Sequence, residues 1–125
     1  MRKRVAVLIS GSGSNLQALL DAAKNPTFPE ISLVLSNMPD AYGLIRAQNA
    51  GVPTRVIEHG AHESREAFDR AMLAVLEEAH IEFVCLAGFM RLLSAPFAEH
   101  WAGRMLNIHP SLLPAFPGLH THRAA

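Results

Sequence analysis

A chain of 125 residues is long enough for one domain with a real core, since a domain of this size buries roughly two-thirds of the surface its unfolded chain exposes. Eleven Lys and Arg balance eleven Asp and Glu, so no strong field exists to hold a polyanion or a membrane surface, and nucleic acid and membrane are excluded as main partners. The longest apolar stretches, such as Phe83 to Met90, fall far short of the roughly 18 residues that a bilayer span needs.

Met1 to Arg4 followed by Val5 to Ile9 has the outline of a signal peptide, but the apolar run is short and meets Ser10 and Gly11, so it is read as a first strand covered on both faces. A helix follows, in which Leu16, Leu19, Leu20 and Ala23 share a face and Ser14 with Gln17 has the spacing of a capping box. Asn25 to Pro29 ends it. Ile31 to Ser36 reads as a second strand, and Asp40 as the cap of a short helix through Ala50 that stops at Gly51 and Pro53. Thr54 to Ile57 reads as a third strand. The pattern Phe68, Met72, Val75, Leu76 and Ala79 predicts a helix from about Glu63 to His80. Ile81 to Ala87 reads as a fourth strand whose lone Cys85 suits a buried, reduced thiol, with no intramolecular disulfide and the cytoplasm as its address. Ser94 to His100 reads as a short helix capped by Ser94, and Met105 to Ile108 as a fifth strand.

This alternation predicts an α/β fold: a Rossmann-like, doubly wound, mostly parallel sheet with right-handed crossovers and ligands gathered beyond the carboxyl ends of its strands. No repeat or linker divides residues 1–125, so one domain is expected. Ser10 to Asn15 lies between the first strand and the first helix, where glycines let backbone N–H groups approach an anion and the helix dipole favours it. A phosphate is the expected guest; a tight turn that uses glycine for geometry alone is the plain alternative. A dinucleotide fingerprint would need a third glycine where Leu16 stands and an acid where Ser36 and Asn37 stand, which argues against NAD.

Asn107 and His109 are two residues apart at a strand end and so share a face. An amide that donates to a forming oxyanion beside an imidazole that moves a proton near neutral pH would suit acyl transfer to an amine. The alternative is that Asn107 satisfies a turn and His109 closes the loop before Pro110. His120 and His122 have no carboxylate or cysteine near them in sequence, so no metal is expected. Arg65, Met90, Arg91, Leu92 and Leu93 read equally well as solvated charges and core.

Four segments carry a resemblance: Val7 to Gln17, Ser64 to Asp69, Leu86 to Ser94, and Leu106 to Pro114 with Pro117 to His122. In this order they resemble the phosphoribosylglycinamide formyltransferase family of folate-dependent enzymes, and Asn107 to Pro114 marks the wider formyltransferase group. The resemblance implies the formyltransferase fold, with the chain as its N-terminal domain, incomplete at the C-terminus. It further implies formyl transfer from 10-formyltetrahydrofolate, a co-substrate, to the amine of glycinamide ribonucleotide in purine biosynthesis, without a metal. Gly13, Ser14 and Asn15 would hold the ribonucleotide phosphate. Arg65, Met90, Arg91, Leu92 and Leu93 would contact the folate, and Asn107 would touch the folate and polarise the formyl oxygen. His109 would be the general acid and base. The family's catalytic aspartate has no counterpart before Ala125, so the isolated chain is expected to be weakly active or inactive. A non-catalytic ribonucleotide-binding domain, a related formyltransferase and a folate hydrolase stay open, as does a homodimer.

Overall fold

The computed structural model describes residues 3–58, 64–89 and 95–108. Its elements run β1 (Arg4–Ile9), α1 (Ser14–Ala22), β2 (Glu30–Ser36), α2 (Tyr42–Asn49), β3 (Thr54–Val56), α3 (Arg65–Glu78), β4 (Phe83–Leu86), α4 (Ala95–His100) and β5 (Met105–Asn107). The strands form one sheet in the order β3-β2-β1-β4-β5, and every pairing among them is parallel. This is the doubly wound sheet that strand–helix alternation predicts, with β1 at the point where the strand order reverses.

Each face of the sheet carries its own core. Val5, Val7 and Ile9 of β1 pack with Leu16, Leu19, Leu20, Leu44 and Ala47 of α1 and α2. Ala6 and Leu8 pack with Phe68, Met72, Leu76, Phe97 and Trp101 on the α3–α4 side. The β1–β2 register slips between Val5 and Ala6, where Ile31 is partnered and then Leu33, so Ser32 is passed over. That bulge lets Ile31 and Val34 face the α1 side although they are three residues apart. At the amino ends of the strands Arg4 donates from Nε to the Ala79 carbonyl and from Nη1 to Glu30.

The structure corrects several sequence expectations. Ser14 and Gln17 form no capping box. Gly13, in the left-handed conformation at φ 79°, is the N-cap and supplies no side chain, so Ser14 is already helical, and the Gln17 side chain donates to Asp21 instead. Asp40 does not cap α2, which begins after Ala41; the N–H of Gly43 in its first turn is taken by the Gly11 carbonyl. The third helix starts at Arg65, capped by Ser64, whose Oγ accepts from the Ala67 N–H. Glu63 and Ser94 lie outside the described residues. Cys85 is half-buried rather than sealed in the core.

Candidate functional site

The carboxyl ends of β1 and β4 adjoin, and the loops that leave them enclose a cleft of about 220 Å³ lined by Ser10 to Asn15 on one side and Ala87 and Gly88 on the other. It stands at the reversal point of the strand order, where parallel sheets of this kind open a crevice. The first turn of α1 leaves the N–H groups of Gly13, Ser14, Asn15 and Leu16 without intrahelical partners, and the helix dipole adds partial positive charge there. The loop is braced from β2, since the Ser10 hydroxyl donates to Asn37 Oδ1 at 2.6 Å and the Asn37 N–H bonds the Ile9 carbonyl at 3.4 Å.

Asn15 links this loop to the residue that follows β5. Its Nδ2 donates to the Ile108 carbonyl at 3.3 Å, across 93 residues of sequence. Its Oδ1 is buried with no hydrogen-bond partner among the described residues, an acceptor held at the lip of the cleft. Ile108 follows Asn107, which is exposed at the carboxyl end of β5 and pairs with Leu86. Along β5 alternation sends Ile108 into the α1-side core and Met105 toward the α3–α4 side, and Asn107 shares the side of Met105.

The expected site residues therefore fall into two sets along one edge. Gly13, Ser14 and Asn15 are on the α1 side. Arg65, exposed in the first turn of α3, lies on the other side with Asn107, because a helix that follows a parallel strand starts at the carboxyl edge and runs back along the sheet. Met90, Arg91, Leu92, Leu93 and His109 lie outside the described residues, as do His120 and His122.

Sequence reasoning missed Arg46, whose Nε donates to the Ser12 carbonyl at 2.8 Å. No local spacing signals it, because the contact forms only where α2 packs against the loop that follows β1. A second cavity, about 270 Å³, lies between α1 and the β1–β4–β5 surface and is walled by apolar side chains including Val5, Val7, Leu19, Phe83 and Leu106. Cys85 lines it, and this apolar surrounding pushes its thiol up to about 11 by desolvation. Such a thiol is not a nucleophile at neutral pH.

Comparison with known proteins places the fold in a family. The profile of the formyl transferase family matches residues 3–125. The chain is 55% identical over 125 residues to the trifunctional purine biosynthetic protein adenosine-3 of Homo sapiens, covering 99% of the chain and 12% of that protein. It is 53% identical over 122 residues to the phosphoribosylglycinamide formyltransferase of Escherichia coli, covering 97% of the chain and 58% of that protein. The crystal structure of phosphoribosylglycinamide formyltransferase from Brucella melitensis superposes with a TM-score of 0.84 at 51% identity, over 100% of this chain and 66% of that one. The chain thus spans less than two-thirds of the length of each of these relatives.

Proposed function

The chain belongs to the formyl transferase family, and on that footing we propose that its residues serve the transfer of a formyl group from 10-formyltetrahydrofolate to the amine of glycinamide ribonucleotide, a step of purine biosynthesis. One observation carries the reading. The Asn15–Ile108 hydrogen bond joins a loop whose first-turn amides lack intrahelical partners to the strand end that bears Asn107, so anion anchorage and acyl chemistry share one edge of the sheet.

In this reading the phosphate of the ribonucleotide takes the N–H groups of Gly13, Ser14 and Asn15. Strand β5 is two neighbours away from β1, about 10 Å at ordinary strand spacing, a distance that a ribose with its glycyl arm covers. The amine would then lie over the end of β5. Its nitrogen bonds to the formyl carbon, the oxygen becomes an oxyanion, and the Asn107 amide donates to it, a contribution of roughly 10²–10³ in rate. His109 takes the proton from the attacking amine and returns it to the folate nitrogen as the carbon–nitrogen bond breaks, worth roughly 10²–10⁴. Arg65, Met90, Arg91, Leu92 and Leu93 hold the folate, the apolar members against the pterin. The chemistry needs no metal, since amide and imidazole supply charge stabilisation and proton transfer.

Calorimetry of the purified chain with glycinamide ribonucleotide tests the anchorage, and saturable binding displaced by ribose 5-phosphate is expected. A chain that binds no ribonucleotide sinks the reading. Formylated product above the level of the His109→Ala variant supports transfer, whereas binding without product in either favours a ribonucleotide-binding module.

A further inference from the structure

The glycine loop is not held by its own strand and helix alone. Gly43 donates its N–H to the Gly11 carbonyl at 3.1 Å, and Arg46 donates Nε–H to the Ser12 carbonyl at 2.8 Å. The same guanidinium gives Nη1 to Gln17 Oε1 at 3.3 Å and lies 5.1 Å from the centre of the Tyr42 ring. Two successive carbonyls are thereby turned toward α2. In a planar trans peptide the C=O and the next N–H point in opposite directions, so the N–H groups of Ser12 and Gly13 face away from α2. They lie beside the first-turn amides of α1 that have no intrahelical partner. Acceptors of the loop go one way and its donors the other.

We propose that Arg46 is a positioning residue for the phosphate: by fixing the Ser12 carbonyl against α2 it holds the peptides of residues 11–13 in the orientation an anion meets. The inference rests on the phosphate reading of the loop given above. A flipped peptide between Ser12 and Gly13 would aim a carbonyl dipole where the amide now points, and glycine at 13 offers little steric resistance to such a flip. Arginine suits the task because its planar fork presents separate donors in fixed directions to Ser12 and Gln17 while lying over the Tyr42 ring, a geometry that the point charge of an ammonium group does not fix. Arg46 acts on the ligand only through the loop.

The experiment is titration of the purified chain with inorganic phosphate and with ribose 5-phosphate, for wild type, Arg46→Lys and Arg46→Gln, with amide NMR spectra recorded before ligand is added. Both variants are expected to lose affinity by about tenfold, the scale of one hydrogen bond to a charged donor, with Lys no better than Gln. The Ser12 and Gly13 amide signals should shift in both free variants while those of β3 stay in place. Unchanged affinity in both variants overturns the proposal and leaves the phosphate reading standing. Full rescue by Lys overturns it in favour of simple charge attraction. A wild-type chain that binds neither probe overturns the phosphate reading and the role assigned to Arg46 with it. Should the Arg46 variants lose the native fold, Tyr42→Leu, which removes only the stacking ring from an exposed position, is expected to weaken binding by a smaller factor, and no change there counts against the proposal.

Discussion

Gly13 and Gly43 face each other with no side chain between them. A Cβ on Gly13 would stand 2.6 Å from the Gly43 Cα, and one on Gly43 would stand 2.4 Å from Ile9 Cδ1 and 3.2 Å from the Gly13 Cα. The contact sets how closely α2 approaches the loop. Gly43→Ala is expected to destabilise the fold by about 1–3 kcal/mol through overpacking. Gly13→Ala should cost more, because φ at +79° adds backbone strain to the clash. Gly11→Ala meets nothing within 4 Å and should unfold like wild type. Urea unfolding followed by the fluorescence of the buried Trp101 checks all three.

Asn15 donates to a carbonyl, so its replacement by Asp sets a carboxylate against the Ile108 oxygen and beside the cleft proposed to take the phosphate. Asn15→Ala should cost about 1 kcal/mol of stability, the net worth of an ordinary hydrogen bond. Asn15→Asp should cost more and should also abolish measurable binding of ribose 5-phosphate. Paired unfolding and titration experiments separate the two effects, and equal ligand affinity for wild type and Asp would contradict them.

Ser64 is the side-chain cap of α3, accepting from Ala67 N–H at 3.1 Å. Ser64→Ala is expected to lower stability by about 1 kcal/mol. Ser14→Ala and Asp40→Ala, at positions that sequence spacing alone would select as caps, should change it little, since neither side chain caps its helix. Thermal melts of the three variants decide the matter.

Cys85 titrates at about 11 in the folded chain against an ordinary 9.0, because burial disfavours the thiolate. A raised folded value means that the neutral thiol's contribution to stability is complete below pH 9 and fades as pH climbs from about 9 to about 11. Cys85→Ala should flatten that alkaline decline. Alkylation of the native protein by iodoacetamide at pH 7.5 should be slow and should accelerate on unfolding; fast native alkylation would show the thiol to be open.

The sheet was legible because its signal is collective. Val5 to Ile9, Ile31 to Ser36 and the Phe68–Met72–Leu76 face each carry a period that several residues repeat, so small errors at one end do not change the element. Caps were less legible because each depends on one backbone angle. Ser14 looked like a cap, yet the left-handed turn at Gly13 moves the helix start, and α2 is capped by a loop carbonyl that no local spacing reveals. The glycine loop could be read from Gly11 to Asn15 alone, whereas its contact with Arg46 could not, since that contact exists only once β1 and α2 are brought together. For Asn107 the strand end was foreseen, while its side of the sheet follows from where Met105 and Ile108 pack.

The Asn15–Ile108 bond has a consequence for the order in which the molecule is made. Residues 11–15 leave the ribosome early, but the partner that steadies Asn15 emerges 93 residues later. Until that late segment docks beside β4, the early loop lacks one of its supports, so on the proposed reading competence to grip a nucleotide should arrive with β5 rather than with β1. A nascent chain arrested before position 108 would carry the fingerprint of the site without its hold.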